Sequence, residues 1–198
     1  MTDVILASGS ATRQRLLRDA GVAFSVDIPN VDETAVLESL VAEGASARDA
    51  ADVLAELKAV KVSARHPMAF VVGADQILSV DREFFRKPAD IGAARDQLRA
   101  LRGRTHVLTS AVVAARGGSG VWREVREARL TMRAFSDAFL EDYLAHAAAD
   151  ILGSVGAYRV EGLGVQLFSR VEGDHFTIQG LPLIPLLDFL RTHGVVKE

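Results

Sequence analysis

Apolar positions along this chain recur in two different periods, and the changes between them mark out its elements. Val4 to Ala7 is a short unbroken apolar run, the pattern of a buried strand. From Ser10 the period becomes helical: Ser10 is a good N-cap, and Leu16, Leu17 and Ala20 supply one apolar face as far as Ala20. Val22–Ile28 reads as a second strand, followed by a loop at Val31-Asp32-Glu33-Thr34. Thr34–Glu43 and Ala47–Ala64 are alanine-rich and helical, broken at Gly44. Phe70-Val71-Val72 suits an interior strand that ends at Gly73-Ala74-Asp75-Gln76, with Ile77–Val80 continuing as strand and Asp81-Arg82 turning toward Phe84-Phe85. Lys87-Pro88 breaks the chain before a helix over Asp90–Leu101, closed by Gly103. His106–Ala115 and Val121–Met132 are long strands around a hairpin loop at Arg116–Gly120. Ser136 caps a helix to about Ala148, and Gly180-Leu181-Pro182 opens a final one. Strands mixed with helices around a central hairpin predict an α/β fold with a mixed sheet.

Composition narrows the picture. At 198 residues with 49% hydrophobic and 25% charged, the chain can bury a substantial core. Its net charge of −3 argues against a nucleic-acid partner, which would need a basic stripe. No stretch reaches the roughly 20 apolar residues that span a bilayer. The start, MTDVILASGS, lacks the basic region of a secretory signal, so a protein without a membrane partner is expected. The absence of cysteine excludes disulfides and zinc-thiolate sites and fits the cytoplasm.

Candidate chemistry begins at LASGSATRQRLL. Arg13 and Arg15 sit where a helix start favours anions. Either they reach into solvent, or serine hydroxyls, helix N–H groups and an arginine fork form a phosphate site. Walker-type, HExxH, GxSxG and GxGxxG motifs are missing. His106, entering a strand, reads as structural. Asp75 at a strand end, Glu33 in a loop, Lys58 in a helix and Lys87 before a proline are each unremarkable alone. With Ser8, Ser10 and Arg13 they would make one site, in which cations hold phosphate oxygens and two carboxylates hold a hard metal ion or activate water.

LASGSATRQRLL, VDET, LAELKA, GADQ, RKP, LRGRTH and VEGLG occur in this order. In motif and spacing the chain resembles the Maf-type nucleoside triphosphate pyrophosphatases, from Leu6 to the GLPL near Gly180. The resemblance implies an elongated mixed sheet flanked by helices, two lobes with a cleft between them, and a single unit over residues 1–198. It also implies hydrolysis of nucleoside triphosphates to monophosphate and pyrophosphate with a divalent metal, Mg²⁺ or Mn²⁺, in a nucleotide house-cleaning role. Ser8, Arg13, Glu33, Lys58, Asp75 and Lys87 fall on the family's site pattern, and the turn from Ser8 to Ser10 would cradle the triphosphate. Asp75 matches the proton acceptor, while Glu33 and Asp75 share the metal. A homodimer is compatible with this. Two rival readings are a non-catalytic regulator of cell division and septum formation, and a nucleotidyltransferase.

The chain departs from the family where a proline-basic pair becomes Ala11-Thr12, and where an Asp-Lys-Ala-Gly stretch becomes Leu152-Gly153-Ser154-Val155-Gly156. Gln76 and Glu161 stand where the dTTP- and UTP-cleaving branch tends to carry Thr and Gln, which brings the chain closer to the 7-methyl-GTP branch. A carboxylate only accepts hydrogen bonds, so Glu161 suits the adjacent N–H donors of guanine. Thr12 cannot stack on a cationic methylated base as the aromatic common in that branch would. A guanine-type base with weakened selection for its methylated form is therefore expected.

Overall fold

A computed structural model describes residues 3–197, the side chains of 148–150 excepted, so both ends of the expected 1–198 unit lie outside it. The elements run β1 (Val4–Ala7), α1 (Ala11–Asp19), β2 (Ser25–Val26), α2 (Glu33–Ala42), α3 (Ala47–Ser63), β3 (Phe70–Val80) and β4 (Glu83–Phe85). They continue through α4 (Ile91–Leu101), β5 (Thr105–Arg116), β6 (Ser119–Met132), α5 (Asp137–Ile151), β7 (Phe168–Glu172), α6 (His175–Ile178) and α7 (Leu183–Thr192). The strands form one seven-stranded open sheet in the order β2-β1-β3-β5-β6-β7, with β4 also paired to β3. β1 runs parallel to β2 and β3, and the remaining pairs are antiparallel. This is the mixed, helix-flanked sheet that the sequence predicts.

Alternation along β3 assigns its two faces. Gly73, Asp75 and Ile77 face α3, where Ile77 joins Leu54, Ala55, Ala59 and Ala111 in one apolar cluster. Val72 and Ala74 face the other way, into a cluster with Leu16 and Leu17 of α1 and Leu186 and Leu190 of α7. Leu78 and Val80, further along that second face, pack with Leu98 of α4 and Leu140 and Leu144 of α5. Two helical layers therefore sit at opposite ends of one strand face, with Gln76 between them. No helix among the described residues is long and apolar enough to cross a membrane.

Several expectations are corrected. β3 does not stop at Gly73 but runs unbroken to Val80, so Asp75 is mid-strand. The expected strand Val22–Ile28 shrinks to Ser25–Val26, because β1 pairs with it only at Ile5 and Leu6. Glu33 is the first residue of α2 and not a loop residue, since Asp32 caps the helix by accepting from Ala35 N at 3.0 Å. The hairpin loop contracts to Gly117-Gly118, whose φ values of 57° and 82° make the tight turn that matches strand twist. β7 and α6 were not foreseen. β7 is an exposed edge without apolar alternation, and α6 is too short to show a period.

Candidate active site

β1 and β4 pair with the same edge of β3 at its two ends. β1 stops at the Ala7–Gly73 pair and β4 starts at the Phe85–Leu78 pair, which leaves Ala74 to Ile77 without a strand on that side. A cleft of about 820 Å³ opens at this break. Ser8, Ser10, Thr12, Arg13, Glu33, Lys58, Asp75, Gln76, Lys87 and Glu161 all border it, so the sequence-predicted residues converge on one place.

The end of β1 delivers the first group. After Ala7 the chain turns through Ser8-Gly9-Ser10, and Ser10 Oγ caps α1 by accepting from Arg13 N at 3.3 Å. Arg13 then folds back over the open edge of β3. Its Nη1 donates to Ala74 O at 2.8 Å and to Ser8 Oγ at 3.2 Å, and its Nε donates to Gly180 O at 2.8 Å. Burial draws the guanidinium below its ordinary pKa, while Asp75 and then Glu33 push the other way. Arg15 is also engaged, with Glu161 and Gln179. Neither arginine simply reaches into solvent. In Arg13 it is Nη2 that donates to nothing among the described residues.

On the α3 face, close packing places the charged group. A Cβ on Gly73 would lie 2.3 Å from Ala55 O and 2.6 Å from Ala59 N, so glycine lets α3 settle against β3. Lys58, one position before Ala59, thereby reaches Asp75 Oδ1 at 2.7 Å and Glu33 Oε1 at 2.9 Å. Lys58 is 5% exposed and Asp75 7%. Lys87 follows β4 at the exposed rim, and makes no hydrogen bond or ion pair among the described residues.

The opposite face of β3 carries uncharged polar groups. Gln76 Nε2 donates to Ser110 Oγ at 2.9 Å and to the carbonyls of Thr177 and Ile178 at 3.1 Å each, so its amide nitrogen is committed to the protein. Tyr158 and Gln179 line this half of the cleft and were missed by sequence reasoning. Tyr158 OH lies 2.6 Å from His106 Nε2, and both residues are buried. Burial alone lowers the His106 pKa to about 4, as its structural reading requires. A signal for this loop was present in the glycines around Gly156 and Gly164. Gly164 packs against the backbone of Arg159, where a Cβ would lie 2.5 Å from a carbonyl oxygen.

The donor set suits a hard cation. Among the described residues there is no cluster of three or more His, Cys, Asp or Glu. Mg²⁺ or Mn²⁺ needs less than that from a protein, because one or two carboxylates suffice when phosphate oxygens and water complete the shell. Glu33 and Asp75, converging on one ammonium, present such a pair.

A family model described as Maf-like protein matches residues 3–193. A nucleoside triphosphate pyrophosphatase of Rhodospirillum rubrum is 56% identical, the match covering 98% of this chain and 96% of that protein. One from Paramagnetospirillum magneticum is 58% identical over 96% of this chain and 98% of its own. A 7-methyl-GTP pyrophosphatase of Brucella abortus is 49% identical over 95% and 94% respectively.

Proposed function

The chain belongs to the Maf family, and from that premise we infer that it hydrolyses nucleoside triphosphates to monophosphate and pyrophosphate in the cleft across the edge of β3. The observation that carries the site assignment is the meeting of Glu33 and Asp75 on Lys58 Nζ beneath the break in that edge.

In this reading, water attacks the α-phosphorus and pyrophosphate leaves. Asp75 orients or deprotonates the water from its fixed place on β3. The Lys58 ammonium has three donors, gives one to Asp75 and is ion-paired with Glu33, which leaves an N–H to serve a phosphate oxygen. Arg13 Nη2 and the Lys87 ammonium add charge from the two ends of the break, and the Ser8–Ser10 turn cradles the triphosphate. Glu33 and Asp75 hold a divalent cation, which when bound offsets charge on the triphosphate.

The base lies on the far side of β3, against Glu161. A guanine-type base is favoured over uracil or thymine, because a carboxylate accepts from the guanine N–H groups and offers nothing to a carbonyl. Thr12 on the cleft wall supplies no aromatic face, which weakens selection for a methylated, cationic base. The reaction belongs in the cytoplasm with the nucleotide pool, and the cysteine-free composition agrees with a reducing compartment.

The test is product analysis with purified protein, Mg²⁺ or Mn²⁺, and a panel of nucleoside triphosphates. Pyrophosphate release that stops with excess chelator is expected, faster for GTP than for UTP or dTTP. Exclusive release of orthophosphate overturns the reaction. A tenfold preference for UTP or dTTP, about 1.4 kcal/mol and the upper end of one hydrogen bond's net contribution, overturns the base assignment.

A further inference from the structure

Arg15 stands on α1 two residues beyond Arg13, yet it serves the opposite half of the cleft. Its Nη2 donates to Glu161 Oε1 at 3.1 Å and to Gln179 Oε1 at 2.7 Å. One nitrogen thus ties α1 to the segment before the glycines at 162 and 164, and to the residue that closes α6. Glu161 Oε1 also accepts from Arg159 Nε at 3.2 Å, with Arg159 Nη2 in ion-pair range at the same distance. Two hydrogen bonds fill the two lone pairs of this oxygen, so Oε1 has nothing left for a ligand. Oε2 accepts no hydrogen bond among the described residues. The Glu161 side chain retains 19% of its surface and borders the cleft.

We propose that Arg15 is a positioning residue for base selection: it pins Glu161 through Oε1 so that Oε2 is presented to the base. This rests on the reading of Glu161 as the group that faces the base. Arg159 holds Oε1 only from within its own segment, whereas Arg15 ties it to α1 and Gln179, so without Arg15 the carboxylate gains freedom to turn away and let a base carbonyl approach. The discrimination between an N–H edge and a carbonyl edge therefore depends on the pin as well as on the carboxylate. The Arg15 side chain is 41% exposed, and an ion pair at such a site adds little to stability, so its loss is read in specificity and not in unfolding.

The experiment measures kcat and KM for GTP and UTP, by pyrophosphate release, in five proteins: wild type, Arg15→Met, Arg15→Lys, Glu161→Gln and the Arg15→Met/Glu161→Gln double variant. Arg15→Met is expected to lower the GTP-to-UTP ratio of kcat/KM by about fivefold, mainly through a higher KM for GTP, with Arg15→Lys recovering part of it. In the Glu161→Gln background the same change should move the ratio by less than about twofold, because the two residues act as one unit. If Glu161→Gln lowers the ratio and Arg15→Met does not, or if Arg15→Met acts equally in both backgrounds, the positioning role is overturned. If Glu161→Gln leaves the ratio where it was, the base-facing assignment of Glu161 itself fails.

Discussion

The Lys58 ammonium lies 2.7 Å from Asp75 Oδ1, with only 6% and 10% of the two side chains open to solvent. Pairing at that depth keeps a charged carboxylate on the floor of the cleft without leaving it unsatisfied. Glu33, at 2.9 Å from the same nitrogen, is half exposed and belongs to the cleft wall.

Breaking the buried pair from the lysine side should destabilise the fold. Lys58→Met leaves Asp75 charged, buried and unpartnered, and is expected to cost about 3–5 kcal/mol in urea unfolding near neutral pH. Adding Asp75→Asn should recover most of that loss, since an amide at 75 carries no charge to strand.

Asp75→Asn alone should keep the fold and lose the chemistry. Turnover is expected to fall at least about a hundredfold, the scale of a general-base or metal-ligand contribution. Near-normal kcat in this variant, with unchanged circular dichroism, would remove Asp75 from the mechanism.

Gly73→Ala tests the close approach that brings Lys58 to Asp75. The added methyl would lie 2.3 Å from Ala55 O and 2.6 Å from Ala59 N, both backbone atoms, so α3 must move outward. A loss of about 1–3 kcal/mol in stability is expected, together with a fall in kcat as Lys58 is displaced. Thermal unfolding and steady-state kinetics on the same preparation check both.

His106 makes stability depend on acidity. Burial holds its folded pKa at about 4, below the roughly 6.5 of an unfolded chain. Between those values the unfolded chain binds a proton and the folded one does not. The contribution is therefore complete above about pH 6.5 and is lost as pH falls toward about 4, amounting to about 3 kcal/mol. Urea unfolding across that window should show a flatter pH dependence for His106→Gln than for wild type.

Much of this was legible in the chain because it is local. Capping serines at 10 and 136 place the starts of their helices, and the break at Gly44 the ends of its two neighbours, within a residue or two of where they lie. The motif order likewise brings the charged residues to one cleft. What could not be read is what depends on distant partners. Asp75 suggested a strand end, but the cleft comes from where β1 stops and β4 starts along a strand that does not end there. Arg13 finds Gly180 O across 167 residues, and Arg15 finds Gln179 across 164, contacts that no local period encodes.

The two halves of the cleft are assigned by parity. Asp75 and Gln76 are neighbours in sequence and project from opposite faces of β3, one toward Lys58 and the other toward the carbonyls of Thr177 and Ile178. Deleting a single residue between β1's partner positions and Asp75 would therefore exchange them, turning the carboxylate toward α6 and the amide toward the ammonium. Removing two residues of β3 ahead of Asp75, Ala74 and one of β1's partner positions, would restore each to its own side but slide both by about 7 Å along the sheet. This stretch of β3 can thus tolerate changes of side chain far more readily than any change in its length.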